Sequence, residues 1–169
     1  KRAARYFPNK QIISRTSPTM THRIPFKDYV KRTHRLADAL TKLGMTRGTK
    51  VGTFAWNHHR HLEAYFAIPC SGAILHTINI RLAPEHIVYI INHAQDEILL
   101  IDGDLFPLVE PALGHLKSVK HIIVMSDDKT APESSFPNVH SYEQLLEEAD
   151  ENFAFPEDLD ENLQAGIYY

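Results

Sequence analysis

Glu97-Ile98-Leu99-Leu100-Ile101 is apolar at every position after its first and is bounded by Asp96 and Asp102. A strand with one wet face alternates polar and apolar residues, so an unbroken apolar run has no solvent side and fits a parallel sheet covered on both faces. Residues 121–125 read the same way, and residues 50–56 carry Val51, Phe54 and Trp56 as a buried strand. Residues 73–78 give another. Between these strands lie segments of helical length. Residues 57–71 follow Asn57 as a candidate cap, with Pro69 shortening the last turn. Ala83-Pro84-Glu85 opens residues 84–94, with proline at its tolerated first position. Asp104 is the expected cap of a helix carrying Leu105, Leu108, Val109, Ala112, Leu113 and Leu116. The alternation predicts an α/β fold, layered, with a mainly parallel sheet and helices on both faces.

The margins are different. Residues 11–15 and 22–24, separated by Ser17-Pro18-Thr19, read as a hairpin. Phe26, Tyr29, Val30, Leu36, Ala37, Leu40 and Leu43 then recur at helical spacing, and Gly44 stands where a left-handed residue would close the helix. Beyond Asp127 lie a polar loop, a helix over 141–149 with Ser141 and Gln144 spaced as a capping box, an acidic connector and a β-type run over 165–169. The expected organisation is an arm and hairpin over 1–25, the α/β core over 26–126, an acidic loop, helix and connector over 127–164, and the start of a strand over 165–169. That strand leads toward the carboxyl edge of the sheet, where ligands bind in open α/β folds.

A chain of 169 residues with 43% hydrophobic and 23% charged residues is globular in composition and sized for one domain or one lobe. No apolar run reaches the roughly 18 residues of a membrane span, and no secretory leader is legible, so a soluble, cytoplasmic chain is expected, with peripheral membrane association left open. Cys70 is the single cysteine; it excludes an internal disulfide, and its apolar surroundings predict a buried thiol. The net charge of -3 hides two halves: residues 1–50 hold 13 of 18 basic residues, and residues 127–161 hold 12 of 21 acidic ones. The basic charges lie among helix-patterned apolar residues without aromatic interleaving, so a helix face offset by the acidic segment is favoured over a nucleic-acid surface.

Eleven histidines invite a metal reading. His58 and His61 share a helix face, but zinc needs at least three protein ligands and no third stands at a fixed spacing, so no metal site is expected. Asp96 with Glu97, and Asp102 with Asp104, flank strands and read as turn chemistry rather than as an acid/base pair. His76-Thr77-Ile78-Asn79-Ile80-Arg81 leaves a strand through a polar stretch, where side chains meet a ligand or hold the loop. Seven scattered glycines form no phosphate-cradling loop.

The order of segments resembles the acyl-adenylate-forming, AMP-binding superfamily that includes acyl-CoA synthetases. Arg23-Ile24-Pro25-Phe26-Lys27-Asp28-Tyr29, Arg35-Leu36-Ala37-Asp38-Ala39-Leu40 and Gly48-Thr49-Lys50-Val51 resemble its opening. Ala55-Trp56-Asn57, His61-Leu62-Glu63-Ala64-Tyr65-Phe66-Ala67, Gly72 to Leu82 and Tyr89-Ile90-Ile91-Asn92-His93-Ala94 are similar to its medium- and long-chain fatty-acid branch. Asn79-Ile80 replaces the Asn-Pro of most of the wider superfamily.

The resemblance implies the N-terminal part of an ATP-dependent fatty acid–CoA ligase that ends just before the ATP-binding loop. Fatty acid, ATP and CoA would be the parent's substrates, with magnesium as its metal. No catalytic residue is expected in this segment, which is expected to be inactive alone and to hold no cofactor. Asn57, His76, Thr77, Asn79 and Arg81 are the candidates to face the shared cleft. Self-association of the segment, as a homodimer for instance, is consistent with a lobe that leaves apolar sheet uncovered. Two alternatives stand beside this: a non-enzymatic α/β binding module, and an adenylating enzyme for a different acid.

Overall fold

The structure is a computed structural model that describes residues 2–16 and 19–169. A short helix α1 (Arg2–Tyr6) precedes the antiparallel hairpin of β1 (Gln11–Arg15) and β2 (Thr21–Pro25), in which Ser14 faces His22. Ser17 and Pro18 of the expected turn lie outside the described residues. There follow α2 (Phe26–Lys42), β3 (Lys50–Phe54), α3 (His59–Cys70), β4 (Ile74–Thr77), α4 (Pro84–Ala94), β5 (Ile98–Asp102), α5 (Phe106–Val109), a 3₁₀ turn (Glu110–His115) and β6 (His121–Met125). The chain closes with β7 (Val139–Ser141), α6 (Tyr142–Glu147) and β8 (Gly166–Ile167). Strands β3 to β8 form one parallel sheet in the order β7-β6-β5-β3-β4-β8.

The apolar run that decides the fold is buried throughout. Ile98 and Leu100 pack on one face with Leu36, Leu40, Ala64, Ala67 and Ile68 of α2 and α3; Leu99 and Ile101 pack on the other with Ile87, Ile90 and Ile91 of α4 and Phe106 of α5. The same alternation runs through β6, where Ile123 and Met125 join the first cluster and Ile122 and Val124 the second. Each central strand thus serves two cores, which is why its sequence has no polar side.

Helix α2 buries Tyr29, Thr33, Leu36, Ala37 and Leu40 along one stripe, and Gly44 follows it at φ +97°. Three local expectations are corrected. The cap of α3 is His58, whose ring accepts from the backbone N–H groups of Arg60 and His61, so Asn57 is left free of that duty. Asp104 caps no helix: the segment after it splits into α5 and the 3₁₀ turn, and its Oδ2 accepts from Trp56 Nε1–H at 3.0 Å. Cys70 is exposed, because it sits at the last position of α3. Strand β7 was not legible, since three residues carry too little alternation to be read.

The two charged halves meet. Lys31 and Arg35 both bond Glu151, at 2.9 Å each, Arg32 bonds Glu143 at 2.8 Å, and Arg47 pairs with Asp158. The basic face of α2 is therefore offset by the acidic segment that returns across it.

Helix α4 ends at Gln95 in the left-handed region, φ 62° and ψ 47°. A Cβ there costs about 1 kcal/mol that glycine avoids. Gln95→Gly is expected to raise stability by about 1 kcal/mol in urea unfolding; no change would mean that the Gln95 side chain offsets the strain.

Candidate functional site

Strand β3 feeds α3 on one face of the sheet, whereas β5 feeds α5 on the other. Neighbouring strands whose exits part in this way leave a crevice at their carboxyl ends, the place where open α/β sheets bind ligands. Two cavities occupy this edge. The larger, about 1070 Å³, lies between the hairpin tip (Arg15, Thr16, Met20), Trp56 to His58, Asp102 to Asp104 and the loop after β6. The smaller, about 420 Å³, lies over the ends of β3 and β4 beside Tyr168 and Tyr169.

Asn57 lines both cavities, and Thr77, Asn79 and Arg81 line the smaller one with Tyr65. Four of the five sequence candidates are thus brought to one edge. Asn79 Oδ1 accepts from the Arg81 N–H at 3.0 Å, which folds the loop after β4 over this cavity. His76 does not join them. It is fully buried in β4, where its Nδ1 and Asp96 Oδ2 lie 2.7 Å apart. Burial raises the Asp96 carboxyl and the His76 partner opposes it. The strand alternation that sends Thr77 toward the rim sends His76 inside.

The loop carrying Asn57 is clamped across the crevice. Asp102 Oδ2 accepts from the Trp56 N–H at 2.6 Å and Oδ1 from His58 Nε2–H at 2.7 Å. The His58 Nδ1 accepts the helix N–H groups, so its Nε2 carries the proton that Asp102 receives. His61 is turned inward, Nε2 at 3.0 Å from Thr53 Oγ1 and Nδ1 at 3.2 Å from the Trp56 carbonyl. Burial first, and then positive charge on His58 whenever that ring is protonated, lower its pKa. The His58 and His61 pair is accordingly used in capping and tethering, and no group of three or more His, Cys, Asp or Glu among the described residues is placed to hold a metal ion.

From sequence Asp102 and Asp104 read as turn residues; in the structure both accept from the Trp56 segment, more than 40 residues away in the chain. Their signal was position, since the residue ending a buried parallel strand stands at the ligand edge. Trp56 reads from sequence as part of a buried strand; its half-exposed ring stands between the cavities and belongs to the rim.

Behind this edge runs an ionic lattice. Arg60 bonds Glu143 at 2.8 Å and also Asp127, which lines the larger cavity. Arg32 joins Glu143 to the buried Glu63, and Tyr142 O–H donates to Glu63 at 2.5 Å. Burial alone would raise Glu143; the hydrogen bonds and charges of Arg32 and Arg60 overcome it and hold the carboxyl at about 2.

Residues 1–168 match the AMP-binding enzyme family. The chain is 47% identical, over 89% of its length and 27% of the relative's, to a long-chain-fatty-acid–CoA ligase of Thermus thermophilus. It is 38% identical, over 99% of its length and 31% of the relative's, to a 3-methylmercaptopropionyl-CoA ligase of Ruegeria lacuscaerulensis. Among solved structures, a long-chain-fatty-acid–CoA ligase of Archaeoglobus fulgidus superposes with a TM-score of 0.83 at 20% identity, over 99% of this chain and 32% of that one. The chain spans less than a third of the length of these proteins.

Proposed function

The chain belongs to the AMP-binding enzyme family, and from that premise we propose that it is the N-terminal part of an ATP-dependent fatty acid–CoA ligase. In this reading the parent joins a fatty carboxylate to the α-phosphorus of ATP with loss of pyrophosphate. The CoA thiolate then attacks the acyl carbonyl and AMP leaves. Such chemistry depends on holding the reactants in line and on stabilising charge at phosphate and carbonyl oxygens.

The observation that carries the reading, beside the family match, is the gathering of Asn57, Thr77, Asn79 and Arg81 with Tyr168 and Tyr169 around one cavity at the carboxyl edge. These residues would form one wall of the substrate cleft: amides and a guanidinium offer hydrogen bonds to phosphate or carboxylate oxygens, and Tyr65 and Trp56 offer apolar area. The clamp from Asp102 to His58 and Trp56 fixes that wall in place. Magnesium, implied for the parent, would be held with the phosphates by residues outside this segment; among the described residues no group of three or more His, Cys, Asp or Glu is placed to hold a metal ion. No helix among them is long and apolar enough to cross a membrane. The segment by itself is expected to form no acyl-adenylate.

The test is ATP–pyrophosphate exchange by the whole protein that carries this segment, with dodecanoate, 3-methylmercaptopropionate and benzoate as acids. Exchange about tenfold or more faster with dodecanoate is expected, the scale on which apolar pockets discriminate. Exchange restricted to the aromatic or the thioether acid would replace the fatty-acid assignment, and none with any carboxylate would overturn the ligase reading.

A further inference from the structure

Strand β2 lays His22 over the first residue of α3. The His22 and His59 rings are stacked, centroids 3.9 Å apart and planes 18° from parallel. Beneath the exposed His22, His59 is only 2% accessible, and its Nδ1 has no hydrogen-bond partner among the described residues. Among the described residues, the charged and titratable groups that bear on the pair are Arg32 from α2, His58 and Arg60 from the start of α3, Glu143 from α6, and Asp127 from the loop after β6. The carboxylates are engaged elsewhere, Glu143 by Arg32 and Arg60, Asp127 by Arg60, and Asp102 by His58. An imidazolium at His59 would therefore be buried beside cations under the His22 ring, with no acceptor on its Nδ1.

The hairpin that this stack pins is a wall of the cleft. Its tip, Arg15, Thr16 and Met20, bounds the larger cavity, and Ile12, Ile13 and Ser14 bound a third cavity of about 240 Å³ against Asn57, His58 and Tyr65. We propose that the β1–β2 hairpin is a latch over the carboxyl-edge cleft, held shut by the stacked His22–His59 pair while both rings are neutral and released when the pair takes up a proton.

The sign follows from the surroundings. Burial first, then the charges of Arg60, His22, Arg32 and His58, push His59 down to about 2 from the ordinary 6.5. Burial, Arg32 and Arg60 lower His22 as well, against Asp127 and Glu143. With the hairpin lifted, His59 meets water and recovers its ordinary basicity. The open form then binds the extra proton, so closure is complete above pH 6.5 and is lost as pH falls below it. For one histidine the open population grows up to about tenfold per pH unit.

The latch stands on this packing whatever reaction the cleft serves, and its test reads opening rather than catalysis. Amide hydrogen exchange of these residues within the whole protein that carries them, corrected for intrinsic rates, is compared from pH 7.5 to pH 5. Amides of β1 and β2 are expected to lose protection by about tenfold per pH unit below 6.5 while those of β5 do not. His59→Phe keeps a ring in the stack and removes the charge, and is expected to flatten the dependence. Hairpin protection that is indifferent to pH, that falls in step with β5, or that keeps its slope in His59→Phe overturns the latch. Should that variant fail to fold, imidazole NMR of the unaltered chain decides. A His59 midpoint well below 6.5 that moves together with hairpin resonances supports the latch, and a midpoint near 6.5 with the hairpin unmoved refutes it.

Discussion

Glu63→Ala is expected to destabilise the chain by about 3–5 kcal/mol, the cost of removing one member of a buried ion pair. Glu63 is fully buried on α3 and receives Arg32 Nε–H at 2.7 Å and the Tyr142 hydroxyl at 2.5 Å. Burial pushes its carboxyl up, and the Arg32 charge and both hydrogen bonds counter that push. Alanine leaves a buried hydroxyl without its acceptor and a guanidinium with only Glu143. Because Arg32, Glu63 and Tyr142 come from α2, α3 and α6, the loss reaches all three helices on one face of the sheet. Replacing the three together, Glu63→Leu with Arg32→Leu and Tyr142→Phe, is expected to recover part of the stability, since the buried Glu63 and Tyr142 groups leave together while Glu143 loses Arg32 and keeps only Arg60. Urea unfolding measures both. A single substitution costing under about 1 kcal/mol would show that Arg32 and Tyr142 find other partners.

Gly52→Ala is expected to cost about 3 kcal/mol, the upper end of overpacking penalties. A Cβ at this position would stand 2.5 Å from Leu99 Cδ2 and 2.9 Å from Asp96 Oδ2. Gly52 pairs with Leu99 of β5 and with His76 of β4, so it is flanked by strands on both sides. Leu99 is 1% exposed and Asp96 0%, leaving neither room to withdraw. The oxygen that a methyl group would displace is the one bonded to His76, so the added carbon also opens a buried hydrogen bond. Urea unfolding checks this as well, and a cost under 1 kcal/mol would mean that β3 and β5 separate easily at this point.

The sheet was legible because β5 and β6 are apolar at consecutive positions, a pattern that requires cover on two faces. That β3, β4, β5 and β6 run parallel followed from the helices between them, whereas their order in the sheet did not. Other features depend on partners far along the chain. Asn57 and His58 are both able to cap a helix, and Asp102, 44 residues on, decides for His58 by taking its second nitrogen. His76 and Thr77 are adjacent polar residues at a strand end, and only the pleat separates the one paired with Asp96 from the one at the rim. The opposed charges of the two halves were plain in the composition, but that Lys31 and Arg35 share Glu151 depends on the path of the chain after α6.

The central claim is that the carboxyl edge where Asn57, Thr77, Asn79 and Arg81 meet forms a wall of the cleft in which acid and ATP react. Asn57 tests it most directly: its side chain is exposed, lines both larger cavities and caps no helix. In the whole protein, Asn57→Ala should slow fatty-acid-dependent pyrophosphate exchange by about tenfold or more, the loss of one positioned hydrogen bond, with stability unchanged within about 0.5 kcal/mol. Exchange at the unaltered rate in a normally folded Asn57→Ala protein would contradict the account.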